Sequence, residues 1–195
     1  YYVQSYSSSR GTPNWVSWHL DATSTGSTSR LDNFANFTGL PIGYYQVLSN
    51  SYSGSGFDRG HNCPSGDRTS SIEANSSTFL MTNMIPQAPN NNQKTWATLE
   101  SYLRAEVQKG NEVYVIMGSY GKGGTGTNGF AETINLGKVV VPNRVWKVAI
   151  ILPNGNGDLS RVNSNTRILA IDTPNENTID ADWKKYITTV DAIEK

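Results

Sequence analysis

The sequence predicts an α+β fold built as one domain over residues 1–195. Two observations predict it: one long segment places apolar side chains at helical spacing, and several short runs are rich in β-branched residues, with Gly, Pro and Asn between them. The chain shows no internal repeat and no linker. Its 195 residues can bury one sizeable core and leave little room for a second.

Two helices are predicted. The longer one extends from about Asn91 to Lys109, and Gly110 is placed to end it. Its apolar side chains recur at spacings of three and four: Trp96, Leu99, Tyr102, Leu103 and Val107. A terminal amphipathic helix from Asp180 to Glu194 is expected to pack on the sheet. Its apolar positions follow the same spacing: Trp183, Ile187, Val190 and Ile193.

Strands are predicted where β-branched and aromatic residues cluster. The segments are Trp15–Leu20, Glu112–Gly118, Lys138–Leu152 with a turn at Pro142 and Asn143, and Arg167–Asp172. The Gly-rich stretch from Gly118 to Gly129 lacks the Gly-Lys-Ser/Thr ending of a phosphate-binding loop. We therefore expect a flexible loop between strands there.

Charge and hydropathy exclude two classes of function. Sixteen Lys and Arg residues balance 16 Asp and Glu residues, so we expect no broad basic face, and a polyanion would have to be held by a few arginines and a cation. The longest apolar runs, Val113–Met117 and Val148–Leu152, are far shorter than the roughly 20 residues of a membrane-spanning helix. The sequence therefore predicts no membrane partner.

Three single residues carry further expectations. Cys63 cannot form an intrachain disulfide and is expected to pack as a small hydrophobe. His19 is expected to be structural, with no acidic or metal partner nearby. The chain begins at Tyr1 without Met or an apolar leader, so we expect it to be processed or trimmed, with any targeting segment removed. A secreted or periplasmic location is a separate expectation.

Polar residues suited to catalysis concentrate between Asp58 and Glu100. His61 follows Arg59 and Gly60, which places a titratable base beside a fixed cation and a residue that lets other groups approach closely. An arginine fork matches two phosphate oxygens, and its charge favours a neutral imidazole that can accept a proton. The group therefore suits phosphodiester chemistry.

The predicted long helix offers a seat for a hard cation. Asn92, Trp96 and Glu100 are spaced by four, so we expect them on one face, with Trp96 anchoring the middle. Magnesium takes one or two oxygen ligands from a protein and keeps several waters, so one amide and one carboxylate are enough. One Cys and two His residues do not make a zinc site.

Three strings occur in order along the chain: DRGHNCPSGD (58–67), TNMIPQ (82–87) and NQKTWATLE (92–100). Together they resemble the signature of the DNA/RNA non-specific endonuclease family. The similarity extends to Trp15–Leu20, Arg30, the SGSGFDRGH approach from Ser53 and the VPNRVWKVAI strand, and so covers most of the chain. It implies a ββα-metal nuclease core with a central, mostly antiparallel sheet flanked by helices.

The resemblance also implies the chemistry of the site. His61 would be the general base on the attacking water, Asn92 the direct ligand of a hydrated Mg²⁺ or Mn²⁺ ion, and Glu100 the holder of metal-bound water. Arg59 and Arg30 would contact the phosphate.

Two further residues are implied to support these groups. Asn83 would maintain the geometry of the site, and Asp58 would orient the motif. The family usually has a small residue where this chain has Cys63, which raises the question of a redox-sensitive site, since a strand would put Cys63 and His61 on the same side.

The predicted function is metal-assisted hydrolysis of DNA and RNA to 5′-phosphate products, without a small-molecule cofactor. A protein inhibitor blocking the cleft is a further expected partner if the nuclease is a toxin. Two alternatives stay open. A catalytically silent, nucleic-acid-binding module of nuclease fold would need a defect at His61 or Asn92, and both are present. A secreted sugar-binding or adhesive β-domain would leave the Asp58–Glu100 residues unexplained.

Overall fold

The structure, a computed structural model, describes residues 1–195. Its strands are β1 (Val3–Ser7), β2 (Thr12–Leu20), β3 (Asp58–His61), β4 (Met84–Gln87), β5 (Asn111–Tyr120), β6 (Gly124–Gly126), β7 (Gly129–Ala131), β8 (Thr133–Ile134), β9 (Val139–Val140), β10 (Arg144–Pro153), β11 (Arg167–Pro174) and β12 (Ile187–Thr188). Its α-helices are α1 (Ile72–Ser77), α2 (Ala97–Gln108), α3 (Asp158–Arg161) and α4 (Val190–Glu194).

Six strands form the central sheet in the order β1-β2-β5-β10-β11-β12, and every neighbouring pair is antiparallel. The alternation of side chains explains this sheet. Along β10, Val145, Lys147 and Ala149 are buried, while Trp146 and Val148 between them are partly exposed. Such alternation is typical of an antiparallel strand with one face on the core. The predicted α+β fold with a central antiparallel sheet is confirmed.

The main core lies between the buried face of this sheet and helix α2. The helix contributes Leu99, Leu103 and Val107, which pack against Val115 and Met117 of β5. A smaller apolar cluster lies beside it: Val47, Tyr52, Phe57, Met81, Met84, Ile134, Val139 and Val141. This second cluster supports the long irregular segment that follows β2.

A separate hairpin leads into α2. Strand β3 pairs antiparallel with β4, with Asp58 opposite Gln87 and His61 opposite Met84. A π-helical turn over Asn91–Trp96 follows and continues directly into α2. Strand, strand and helix thus form the ββα unit that the resemblance implied.

The predicted terminal helix from Asp180 to Glu194 is wrong. The segment forms a 3₁₀ turn over Trp183–Tyr186, then the short strand β12, and only then the five-residue helix α4. Strand pairing overrides the helical spacing, because Ile187 pairs with Ile171 of β11. Trp183 alone among the four predicted apolar anchors is buried.

The Gly-rich stretch also differs from its prediction. Strand β5 continues to Tyr120, and β6 lies within the stretch predicted to be a loop, where it forms a small hairpin with β7, which begins at Gly129. No helix of the structure is both long enough and apolar enough to cross a membrane.

Candidate active site

One cleft of about 820 Å³ is bounded by β3, by the start of the long helix and by the irregular segment between β2 and β3. Six of the seven predicted site residues line it: Arg30, Asp58, Arg59, His61, Asn92 and Glu100. The seventh, Asn83, is fully buried and lies outside the lining. The fold therefore gathers residues that are up to 70 positions apart in sequence, from Arg30 to Glu100.

His61 ends strand β3 and lies partly buried between two phenylalanine rings. The centroids of Phe34 and Phe79 are 5.8 Å and 5.0 Å from that of the imidazole. Burial, together with the charges of Arg30 and Arg59, lowers the pKa of His61 to about 3. Its Nε2 atom is buried without a hydrogen-bond partner. At neutral pH the ring is therefore uncharged.

The two arginines are held against the same aromatic rings. The guanidinium of Arg59 stacks 3.6 Å from the Phe34 centroid and donates a hydrogen bond to the Ser49 carbonyl at 3.1 Å. Arg30 lies 5.0 Å from the Phe79 centroid and donates from Nη1 to Ser65 Oγ at 2.9 Å. These contacts restrict both forks before any substrate binds.

Asn83 joins the end of β3 to the start of β4. Its Oδ1 accepts a hydrogen bond from the Cys63 amide at 3.0 Å, and its Nδ2 donates to the carbonyls of Cys63 and Thr78, both at 2.9 Å. Cys63 is two residues beyond His61. Asn83 is thus a positioning residue, whose bonds fix the backbone that carries the imidazole.

Gly60 allows β3 to lie close to its partner strand. A Cβ atom at this position would be 2.3 Å from Gln87 Oε1 and 2.6 Å from Gln87 Cβ. The small residue between Arg59 and His61 is therefore required by β4 packing, rather than by the approach of a substrate.

Asp58 orients the first turn of the long helix. Its Oδ2 accepts hydrogen bonds from Asn92 Nδ2 and from Gln93 Nε2, each at 2.8 Å. Because the amide nitrogen of Asn92 is used in this way, its carbonyl oxygen is the atom left for another ligand. Asn92 Oδ1 could therefore hold a hard cation at the cleft.

The prediction that Asn92, Trp96 and Glu100 share one face of the helix is wrong for Trp96. The π-helical turn has a longer repeat than an α-helix, so Ala97 rather than Trp96 lines the cleft beside Asn92 and Glu100. Trp96 instead packs in the main core with 1% of its surface exposed. The sequence spacing of four describes a regular α-helix, and this turn is not regular.

Comparison with known proteins supports the resemblance seen in the sequence motifs. The family model for DNA/RNA non-specific endonucleases matches residues 1–195. A nuclease of Nostoc sp. is 42% identical over 193 residues, which cover 99% of this chain and 68% of the relative. Nuclease C1 of Cunninghamella echinulata var. echinulata is 35% identical over 163 residues, which cover 80% of this chain and 64% of the relative.

The chain belongs to the DNA/RNA non-specific endonuclease family. Members of this family are hydrolytic, metal-dependent nucleases. A crystal structure of the EndoG/EndoGI complex, concerned with EndoG inhibition, contains a similar chain with a TM-score of 0.78 at 24% identity, covering 99% of this chain and 79% of that one. The fold is therefore the ββα-metal nuclease fold. The chain spans about two thirds of the length of the two relatives named above.

Several residues of this endonuclease-family cleft were not singled out from the sequence. Arg104, one turn after Glu100 on α2, lines the cleft and forms an ion pair with the buried Asp67 at 2.8 Å. Helical spacing from Glu100 could have found it. Asp67 also accepts a hydrogen bond from Trp18 Nε1 at 2.9 Å, so it ties Arg104 to the buried side of the sheet.

Glu100 has an unusual neighbour on the side away from the cleft. Its Oε1 is 3.7 Å from the Nζ atom of Lys147, a residue of β10 that is 1% exposed. Burial raises the pKa of Glu100, and the Lys147 charge opposes that rise. Burial likewise lowers the pKa of Lys147, and the charge of Glu100 opposes that decrease. Nothing in the spacing of the sequence indicates this pair.

Cys63 and His19 lie outside the cleft lining. Cys63 is fully buried, as expected for a small hydrophobe, and burial raises the pKa of its thiol. Strand β3 ends at His61, so the expected strand alternation does not place Cys63 beside it. The expectation that His19 has no acidic partner is wrong, because its Nε2 is 2.8 Å from Glu112 Oε2. Its role nevertheless lies away from the cleft.

Proposed function

We propose that this chain is a magnesium-dependent, sugar-non-specific endonuclease that hydrolyses DNA and RNA to 5′-phosphate products. Manganese would serve in place of magnesium. The observation that carries the proposal is the convergence in one cleft of His61, two arginines, Asn92 and Glu100. Family membership gives the reaction class, and the cleft supplies a role for each group.

His61 is the general base in this mechanism. Its imidazole is neutral at neutral pH because burial and two guanidinium groups lower its pKa to about 3. It accepts a proton from the water that attacks phosphorus. The bond from phosphorus to the 3′ oxygen then breaks, the 3′ oxygen takes up a proton, and the phosphate stays on the 5′ side.

Arg59 and Arg30 bind the phosphodiester. Each guanidinium already lies on an aromatic ring beside His61, so little side-chain entropy is lost when phosphate oxygens bind. Their fixed charges stabilise the negative charge that grows on the non-bridging oxygens in the transition state.

The residues present fit a magnesium ion. The carbonyl oxygen of Asn92 is free of protein hydrogen bonds while Asp58 holds its amide nitrogen, and the Glu100 carboxylate lines the same cleft. No cluster of three His, Cys, Asp or Glu side chains offers an alternative metal site. We propose that Asn92 holds the ion directly and Glu100 holds it through water. The bound ion would act as a Lewis acid that stabilises the leaving 3′ oxygen.

The test is cleavage of a supercoiled plasmid and a structured RNA with magnesium, with manganese and with EDTA. We expect both substrates to be cut with either metal and neither with EDTA. An Asn92→Ala variant should need a higher magnesium concentration and reach a lower rate. If the protein cuts neither substrate with any divalent cation but still binds them, the catalytically silent binding module is the correct reading.

A protein inhibitor that occupies the cleft remains part of the proposal. It is supported by the fold of EndoG, for which a complex with EndoGI has been solved. Nucleic acid is the proposed substrate, and the secreted or periplasmic location stays a prediction. A partner of this kind would be supported if an inhibitory protein copurifies with the chain and nuclease activity rises when that inhibitor is denatured. Full nuclease activity in crude extract would count against such a partner.

A further inference from the structure

Lys147 is a buried lysine that the proposed chemistry does not use. It lies in the middle of β10 with 1% of its side chain exposed, and its Nζ donates no hydrogen bond. A buried ammonium without hydrogen bonds costs free energy, and an apolar side chain of the same length would avoid that cost. Stability therefore does not explain a lysine at this position.

The surroundings of Lys147 fix its charged end. The Nζ atom is 4.7 Å from the ring centroid of Trp96 and 5.4 Å from that of Trp18. Indole faces attract an ammonium through their negative quadrupole. The remaining direction leads to Glu100, whose Oε1 is 3.7 Å from Nζ.

The position of this pair connects the core to the cleft. Glu100 lines the cleft, whereas Lys147 belongs to the buried face of the sheet behind it and does not. Glu100 is the cleft residue with which Lys147 forms an ion pair, so the effect of Lys147 on the reaction is expected to pass through Glu100. No protein group donates a hydrogen bond to Glu100, so the ammonium is the one cation that holds the carboxylate from beneath. The nearby Arg104 is engaged by Asp67.

We infer that Lys147 is a positioning residue for cleavage, with its ammonium, fixed between two indole rings, holding the Glu100 carboxylate at the cleft floor in the orientation that metal-bound water requires. This inference rests on the proposed function. Lys147 touches neither substrate nor metal. Its effect is to restrict the rotamers of a carboxylate that has no other partner.

The experiment compares Lys147→Met with Lys109→Met. Lys109 forms an ion pair at 2.9 Å with Glu106 on the same helix as Glu100, but it does not line the cleft. Three quantities are measured: kcat and KM on DNA, Mn²⁺ affinity by electron paramagnetic resonance without nucleic acid, and the free energy of unfolding in urea.

For Lys147→Met we expect kcat and Mn²⁺ affinity each to fall roughly 10- to 100-fold, as is usual when the partner of a metal-site group is removed. The KM for DNA and the free energy of unfolding should not fall with them. Lys109→Met should leave kcat and Mn²⁺ affinity unchanged. Wild-type kcat and Mn²⁺ affinity in Lys147→Met, or a loss of stability without either change, would overturn the inference.

A second comparison places Lys147→Met in a Glu100→Gln background. This double variant buries no uncompensated charge, so it tests the inference even if Lys147→Met alone fails to fold. We expect Glu100→Gln and the double variant to have the same Mn²⁺ affinity and rate, and a further loss in the double variant would show that Lys147 acts elsewhere. Lack of cleavage by the wild type would refute the proposed function but not this inference, because Mn²⁺ affinity still reports the effect of Lys147 on Glu100.

Discussion

The ionisation of His61 is decided by its immediate neighbours. An exposed histidine titrates near pH 6.5, but this ring lies between Phe34 and Phe79 with two arginines close by. Desolvation and like charge both oppose protonation. The residue is thereby kept as a proton acceptor over a wide pH range, which is the state that hydrolysis requires.

The two histidines of the chain allow a matched test of this role. His61→Ala should lower kcat roughly 10²- to 10⁴-fold, the usual contribution of a general base, while DNA binding is retained. His19→Ala should cut DNA at the wild-type rate, because His19 lies outside the cleft and pairs with Glu112. Plasmid cleavage and a DNA-binding assay measure both effects, and near-normal turnover by His61→Ala would rule out its assignment as the base.

The lowered pKa of His61 also predicts how stability depends on pH. Between about pH 6.5 and pH 3, the unfolded chain binds a proton on this residue that the folded chain excludes, so acidification favours unfolding. From pH 7 to pH 5, this residue should remove about 1–2 kcal/mol of unfolding free energy. Urea unfolding at both pH values should show a smaller loss for His61→Ala than for the wild type, and equal losses would contradict the shift.

The same shift predicts the pH profile of the reaction. The acid limb of kcat/KM, which reports the free enzyme, should lie well below pH 6.5. Arg59→Gln removes one of the charges that lower the His61 pKa, so it should move this limb toward neutral pH. A limb near pH 6.5 in the wild type would show that the imidazole is not shielded in solution.

At the scale of elements, a hairpin and a π-helical turn place the site residues on the walls of the cleft. Strand β3, paired with β4, carries Arg59 and His61 to one wall of the cleft, and the turn over Asn91–Trp96 carries Asn92 to the other. The turn has a separate consequence: it turns Trp96 into the core, where its ring meets the ammonium of Lys147. Irregular helix geometry thus serves both the site and the core.

The hydrogen bonds by which Asn83 connects β3 to β4 can be tested by substituting two neighbouring buried residues. Asn83→Ala removes three hydrogen bonds and leaves buried partners unsatisfied, so unfolding free energy should fall by about 2–4 kcal/mol and kcat should fall with it. Thr82→Val is the control, because the Thr82 hydroxyl is buried without a partner. Chemical denaturation should find that variant as stable as the wild type or more so. A stability loss for Thr82→Val equal to that for Asn83→Ala would mean that packing alone explains both.

At the scale of the whole molecule, the balance of charge limits how the protein binds nucleic acid. The chain has no net charge, and the cleft lining contains three arginines and three acidic residues: Arg30, Arg59 and Arg104, and Asp32, Asp58 and Glu100. Arg30 also donates a hydrogen bond to Asp32 at 2.7 Å. A bound divalent cation would make this cleft positive, so the metal would contribute to substrate binding as well as to chemistry.

This balance predicts a shallow salt dependence. With Arg30 and Arg59 as the proposed phosphate contacts, the logarithm of DNA affinity for the His61→Ala variant should fall with the logarithm of salt concentration with a slope of about −2. Arg59→Gln in that background should reduce the slope by about 1. Fluorescence anisotropy at several salt concentrations measures both, and a slope near −8 would contradict the expectation that the chain has no extended basic surface.

Much of the fold and site could be predicted from the sequence because the relevant signals are local. Helical spacing identified α2, and β-branched runs identified β5, β10 and β11. The order of three short motifs identified the family and five of the six predicted residues that line one cleft. Local patterns determine these features because side-chain direction repeats with backbone geometry.

Tertiary structure alone decided the features that depend on distant neighbours. Pairing with β11 turned part of the predicted terminal helix into strand β12, because backbone hydrogen bonds across strands outweigh a weak helical preference. The π-helical turn placed Trp96 in the core, and the sheet brought Lys147 behind Glu100. The pKa of His61 depends on burial and on Arg30, 31 positions away in sequence. Desolvation and charge act through space, so no sequence spacing contains them.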